Sequence, residues 1–219
     1  MRDIAQPLTG PERLPADGSA PDSVVVMLHG LGADGSDLIG LAPDFARLMP
    51  RTAFLSPDAP YACDMAPFGR QWFSLLDRAP EVMARNVAAS APILDAYLDT
   101  VLSRFALAPS RLALLGFSQG TMMALHVAFR REMPIAGIVG FSGRLTGAET
   151  FASEAVSRPP ALLIHGTDDD VVPFESLALA EAALDSAGVR VTAMACPGLG
   201  HGIDEQGMSA AADFLLRNL

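Results

Sequence analysis

Cysteine and charge are both scarce in this chain. Only Cys63 and Cys196 occur among 219 residues, too few for a disulfide framework, and reduced thiols in a cytoplasmic protein are the expectation. Charged residues make up 18% and hydrophobic residues 50%, a balance that excludes a disordered chain and a coiled coil. Long apolar runs are missing as well. Met133 to Phe141, counting Gly and Pro, falls far short of the roughly 18 residues a spanning helix needs, despite a mean hydropathy of +0.31. Basic residues are outnumbered, 15 Lys and Arg against 25 Asp and Glu, and no basic block offsets the net charge of −10. Such a chain repels a phosphate backbone, so nucleic acid is not an expected partner.

Residues 1–20 carry Pro7, Pro11 and Pro15 and have no apolar stretch after Arg2, which does not read as a secretory signal. An irregular or edge-strand segment is expected there. The length suits one domain, 1–219, with a sizeable core, and no repeat or linker divides it.

What the chain does contain is alternation. Short apolar segments at Val24–Leu28, Thr52–Leu55, Leu112–Phe117, Ile135–Phe141 and Ala161–His165, with a weaker one at Val189–Ala195, alternate with segments of helical period. In Val87–Phe105, Ala91, Leu94, Leu98 and Val101 recur every three or four residues; Pro92 places the start of the regular helix near Ser90. Ser118–Arg131 has almost no polar face and reads as a buried helix. Phe174–Ser186 and Met208–Asn218 supply two more. This order predicts an α/β fold, a mostly parallel sheet with helices on both faces and ligands at the carboxyl ends of the strands.

Gly116-Phe117-Ser118-Gln119-Gly120 matches G-x-S-x-G between an apolar strand and a buried helix. In that context the glycines allow the sharp turn that exposes a serine hydroxyl above the sheet. A serine nucleophile needs a base, and the base needs an acid to hold its tautomer. Downstream, His165-Gly166-Thr167-Asp168-Asp169-Asp170 and Gly200-His201-Gly202 both follow strand candidates, giving the order Ser, Asp, His. His201 is the candidate base. His126 reads as a hydrogen-bonded core residue, while His165 and His29 read as residues that order their loops. Asp169 is favoured as the acid, with Asp170 in reserve. The oxyanion donors expected by position are the amides of Gln119 and of Leu31, the latter in the glycine-rich turn after the first strand.

Gly30-Leu31-Gly32-Ala33-Asp34-Gly35 also spells G-x-G-x-x-G, with Asp58 near the end of the next strand. A dinucleotide site of this kind leaves Ser118, Asp169 and His201 without a purpose. No phosphate-loop motif and no cysteine or histidine cluster for a metal occurs, so neither cofactor nor metal is expected.

Together, Leu28-His29-Gly30-Leu31-Gly32, Pro57-Asp58-Ala59-Pro60, Trp72-Phe73, the Ser118 motif, His165-Gly166-x-x-Asp169 and Gly200-His201 resemble the phospholipase/carboxylesterase family of α/β-hydrolases, which includes small bacterial carboxylesterases and acyl-protein thioesterases. The resemblance implies hydrolysis of carboxylic esters and thioesters without a cofactor. It also implies Asp169 as the acid. Between Phe141 and Ala161 there is room for a loop and a short helix but not for a cap domain. The apolar stretch Tyr61–Leu76 is expected to wall the acyl site through Trp72, Met65 and Phe73.

The expected reaction is attack of Ser118 on an ester carbonyl with His201 as base, falling off as pH drops through the ordinary imidazole range near about 6.5. Its substrates are expected to be small esters or acylated molecules, and a homodimer is the candidate assembly. A non-catalytic protein that keeps the fold as a binding scaffold is the rival from another class.

Overall fold

The computed structural model describes residues 7–219. Its nine strands are β1 (Glu12–Arg13), β2 (Ser23–Leu28), β3 (Thr52–Leu55), β4 (Tyr61–Ala62), β5 (Arg70–Gln71), β6 (Leu112–Phe117), β7 (Gly137–Phe141), β8 (Ala161–Gly166) and β9 (Val191–Cys196). Seven of them form one sheet in the order β1-β3-β2-β6-β7-β8-β9. All neighbours are parallel except β1, which pairs antiparallel with β3 at the edge. β4 and β5 make a separate antiparallel hairpin.

Strand side chains point alternately to the two faces of the sheet, and the core divides accordingly. Val24, Val26, Leu112, Leu114, Ile138 and Leu163 pack on one face against α3 (Pro80–Phe105), α4 (Gln119–Ala128), α5 (Ala148–Glu154) and α6 (Glu175–Ser186). Val25, Met27, Ala113, Leu115, Val139 and Leu162 pack on the other against α1 (Gly35–Ile39), α2 (Ala42–Leu48) and α7 (Glu205–Asn218). Burial on both faces explains the continuous apolar runs of β2 and β6. β9 is the far edge and is mostly half-exposed, as its weaker alternation suggested. Among the described residues no helix is long and apolar enough to cross a membrane.

The helix expected to start near Ser90 begins instead at Pro80 and runs 26 residues. Pro80 occupies the first turn, where a missing N–H costs nothing. Pro92 is tolerated inside because it and Ala88, whose carbonyl would have been its partner, both face solvent. The buried residues Met83, Val87, Ser90, Leu94, Leu98 and Val101 continue one stripe past it. α7 likewise starts earlier than Met208, because Asp204 caps it by accepting from the Gly207 amide at 2.7 Å. Residues 142–160 hold only α5, so no cap covers the carboxyl ends of the strands.

Candidate active site

Ser118 sits in the turn between β6 and α4 with φ 53° and ψ −115°, a conformation that costs a non-glycine residue energy and persists only where its surroundings enforce it. Here the enforcement is steric. A Cβ on Gly116 would lie 2.5 Å from the Thr121 nitrogen, and one on Gly120 would lie 1.9 Å from the Leu28 carbonyl oxygen. Strand and helix therefore approach as closely as the two glycines allow. The Ser118 amide donates to the Phe141 carbonyl at 2.9 Å, tying the turn to β7.

Asp169 and His201 arrive from the loops after β8 and β9. The Asp169 carboxylate is fully buried, and its two oxygens have separate duties. Oδ1 accepts from the amides of Val171 at 2.9 Å and Val172 at 2.8 Å. Oδ2 lies 2.8 Å from His201 Nδ1 and 3.1 Å from His165 Nε2. Burial pushes the carboxyl pKa up, but the hydrogen bonds from His201 and the Val172 and Val171 amides outweigh it and hold it below the usual carboxylate range. An acceptor at Nδ1 fixes the His201 tautomer, leaving Nε2 as the basic nitrogen. The ring of Phe117 lies against the His201 ring, centroids 4.9 Å apart. Ser118 and His201 line one cleft. Among the described residues the Ser118 hydroxyl makes no hydrogen bond to that ring, a contact that commonly tightens only when substrate is bound.

The glycine-rich turn is ordered by His29. Its Nε2 accepts from the Ala59 amide at 3.0 Å, so Nδ1 carries the proton and donates to the Gly30 carbonyl at 2.7 Å. Burial lowers the His29 pKa and keeps the ring neutral. The β4–β5 hairpin clamps the same turn: the Gly32 amide donates to the Arg70 carbonyl and the Arg70 amide to the Ala33 carbonyl, both at 2.8 Å. Gly69, with φ 77°, lies so close that a Cβ there would sit 1.9 Å from the Gly32 oxygen. Among the described residues the amides of Leu31 and Gln119 have no protein acceptor. The Gln119 amide also opens α4, where the helix dipole favours negative charge.

Three expected site residues are placed elsewhere. Trp72 is 1% exposed, in the core, and its indole N–H donates to the His29 carbonyl at 3.0 Å. Phe73 is buried beside it, and its carbonyl accepts from Gln119 Nε2 at 2.8 Å. Met65 is exposed on the hairpin, outside the cleft. The bulky side chains of Trp72 and Phe73 pack in the core and do not line the cleft. Of the stretch 61–76, only Leu75 reaches the cleft, which holds about 220 Å³ and is otherwise walled by Met83, Met122, Val171, Val172 and Pro173. Met83 and Val172 lie outside the helical segments that periodicity predicts, Val87–Phe105 and Phe174–Ser186. Their i, i+4 continuation of the α3 stripe was the available signal for Met83; none pointed to Val172.

Two histidine readings also change. His165 does order its loop, through Nε2 at 3.0 Å from the Val172 carbonyl, but it reaches Asp169 as well. His126 is buried, yet its Nδ1 has no hydrogen-bond partner, and burial with the nearby Arg130 charge pushes its pKa down to about 4. As for the dinucleotide motif, Asp58 accepts from the Gly35 amide at 2.8 Å, placing a carboxylate where a pyrophosphate would need free N–H groups.

The parallel sheet, the strained serine after β6 and the acid and histidine after β8 and β9 define an α/β-hydrolase of the serine type. The chain belongs to the phospholipase/carboxylesterase family, whose model matches residues 12–219. It is 31% identical to the esterase YpfH of Escherichia coli K12 over 88% of this chain and 81% of that one. It is 26% identical to an acyl-protein thioesterase 1 of Gibberella zeae, covering 90% and 91% of the two chains. Among solved structures, that of esterase PE8 superposes with a TM-score of 0.93 at 38% identity, covering 97% of this chain and all of the other.

Proposed function

We propose that the protein, acting as a single hydrolase domain in the cytoplasm, hydrolyses carboxylic esters through an acyl-enzyme on Ser118. His201 Nε2 takes the hydroxyl proton as the oxygen attacks the carbonyl carbon, and Asp169 stabilises the imidazolium that forms. Negative charge on the carbonyl oxygen is met by the amides of Leu31 and Gln119 at the start of α4. His201 then protonates the departing alcohol, and water repeats the sequence on the acyl group. The same steps serve a thioester, whose leaving group is a thiolate. The observation that carries this reading is the 2.8 Å contact from Asp169 to His201 Nδ1 in the cleft that holds a strained Ser118.

A small, uncapped and mostly apolar cleft suits short acyl chains. Release of p-nitrophenol from acetate to decanoate esters, followed by acyl-thioesters of the same lengths, tests the reading with Ser118→Ala as control. Turnover of short esters that the variant lacks supports it. Turnover that survives in the variant sinks it.

A further inference from the structure

The sequence contains no lysine, so every one of its 15 basic residues is an arginine. Most of the described ones have partners. Arg104 forks onto Glu12, Arg131 binds Asp95 and Asp99, and Arg70 holds the carbonyls of Ala59 and Pro60. Arg78 and Arg144 have, among the described residues, neither an ion pair nor a hydrogen bond, and both line the cleft with Ser118 and His201. No carboxylate shares that lining. A chain of net charge −10 therefore concentrates two unneutralised cations at the mouth of its apolar site.

Arg144 is half-buried and stands at a junction. It and Met83 also border a second cavity of about 250 Å³, lined by Leu145, Thr146, Ser176 and Leu179. Thr146 Oγ1 is buried there without a hydrogen-bond partner. Glu149, exposed at its edge, makes no ion pair with Arg144. A guanidinium is a planar fork matched to carboxylate and phosphate oxygens, and beside low-dielectric walls such a contact is stronger than in water. A purely apolar ester leaves both arginines unused.

We propose that this cleft selects esters bearing a carboxylate or phosphate remote from the scissile bond, held by Arg144 at the junction of the two cavities with Arg78 as a second contact. The inference rests on the esterase reading above. Apolar substrate packs on Met83, Met122 and Val172, while the anion replaces the missing partner of the two cations.

Matched substrates test it on each side of the ester. On the acyl side, p-nitrophenyl hemiglutarate is compared with its methyl ester. On the alcohol side, the butyryl esters of 4-hydroxybenzoate and 4-hydroxyphenyl phosphate are compared with that of methyl 4-hydroxybenzoate. In at least one pair the wild type should favour the anion by about tenfold in kcat/KM, mainly through KM. Arg144→Gln should bring that ratio near one, Arg144→Lys should restore part of it, and Arg78→Gln should lower it less. Arg13→Gln, a loss of the same charge at the sheet edge, should leave it unchanged. Equal rates within every pair, or a preference that survives in the Arg78→Gln, Arg144→Gln double variant, would overturn the proposal. Failure of the wild type to hydrolyse any of these esters, neutral or anionic, would overturn the esterase reading, and the proposal with it.

Discussion

The floor and the wall of the cleft are built differently. The floor is directional: Asp169 is met by two backbone amides and two imidazoles, Ser118 is forced into its turn by glycine contacts, and His29 fixes the glycine-rich turn through both ring nitrogens. The wall is not. Leu75, Met83, Met122, Val171, Val172 and Pro173 contribute apolar side chains that make no hydrogen bonds, although the backbones of Val171 and Val172 are tied to Asp169 and His165. Chemistry that moves protons tolerates errors of only a fraction of an ångström, whereas an acyl chain asks only for space. Substitutions in the floor should therefore cost orders of magnitude in rate, and those in the wall should redistribute rates among substrates.

The largest effect belongs to Ser118. Ser118→Ala should lower kcat by on the order of 10⁴ to 10⁶-fold with little change in stability; comparable turnover by the variant would erase the distinction between floor and wall. Next is Asp169→Asn, which leaves shape intact but offers His201 the wrong tautomer, at a cost of roughly 10⁴ in kcat. Rates measured on a short p-nitrophenyl ester check both.

Gln119 shows how the floor reaches the hairpin. Its side-chain oxygen accepts from the Trp72 amide and its nitrogen donates to the Phe73 carbonyl, each at 2.8 Å. Gln119→Leu leaves both buried backbone groups unpaired and should lower unfolding free energy by about 2 to 4 kcal/mol, read by urea denaturation. An unchanged midpoint would mean the hairpin is anchored by packing alone.

α4 carries the same contrast along its length. At its start every polar side-chain atom of Gln119 is bonded, while near its end His126 is buried with Nδ1 unpaired. The folded His126 pKa, about 4, lies below the ordinary imidazole value of about 6.5, so between these values the unfolded chain binds the extra proton. Stability is then lost as pH falls through that window, by about 2 kcal/mol between pH 7 and pH 5. His126→Leu should flatten that slope. Asp169, held below the ordinary carboxylate range, keeps its contribution intact over the same interval and loses it only at lower pH.

The smallest effects belong outside the floor. Met122→Ala should shift the preferred acyl length with rate changes of about tenfold either way. Met65→Ala should change neither rate nor stability by more than about 0.5 kcal/mol, since its side chain is exposed away from the cleft. A large effect of Met65 on acyl preference would return the hairpin to the wall.

The same division governs what the sequence could reveal. Ser118, Asp169 and His201 are legible because the turn that holds each needs particular residues nearby, glycines above all, at fixed spacing. Strands β2, β3, β6 and β8 are legible because burial on both faces leaves unbroken apolar runs. The wall is not legible, because any apolar residue satisfies it and its members come from four separate segments, the loop before α3, α3, α4 and the loop after β8. Trp72 illustrates the trap: a large aromatic residue near a site looks like a substrate contact, but its indole N–H, invisible to hydropathy, ties it to the His29 carbonyl. The early part of α3 escaped for a different reason. Pro92 read as a boundary, and only the exposure of that face shows why the helix runs through it.

The most direct test of the account is covalent. Intact-mass analysis after treatment with a fluorophosphonate should show one adduct per wild-type chain, mapped by peptide sequencing to Ser118, and none on Ser118→Ala or on wild type unfolded in urea. A folded wild type that stays unlabelled, or an adduct mapped to another residue, would contradict it.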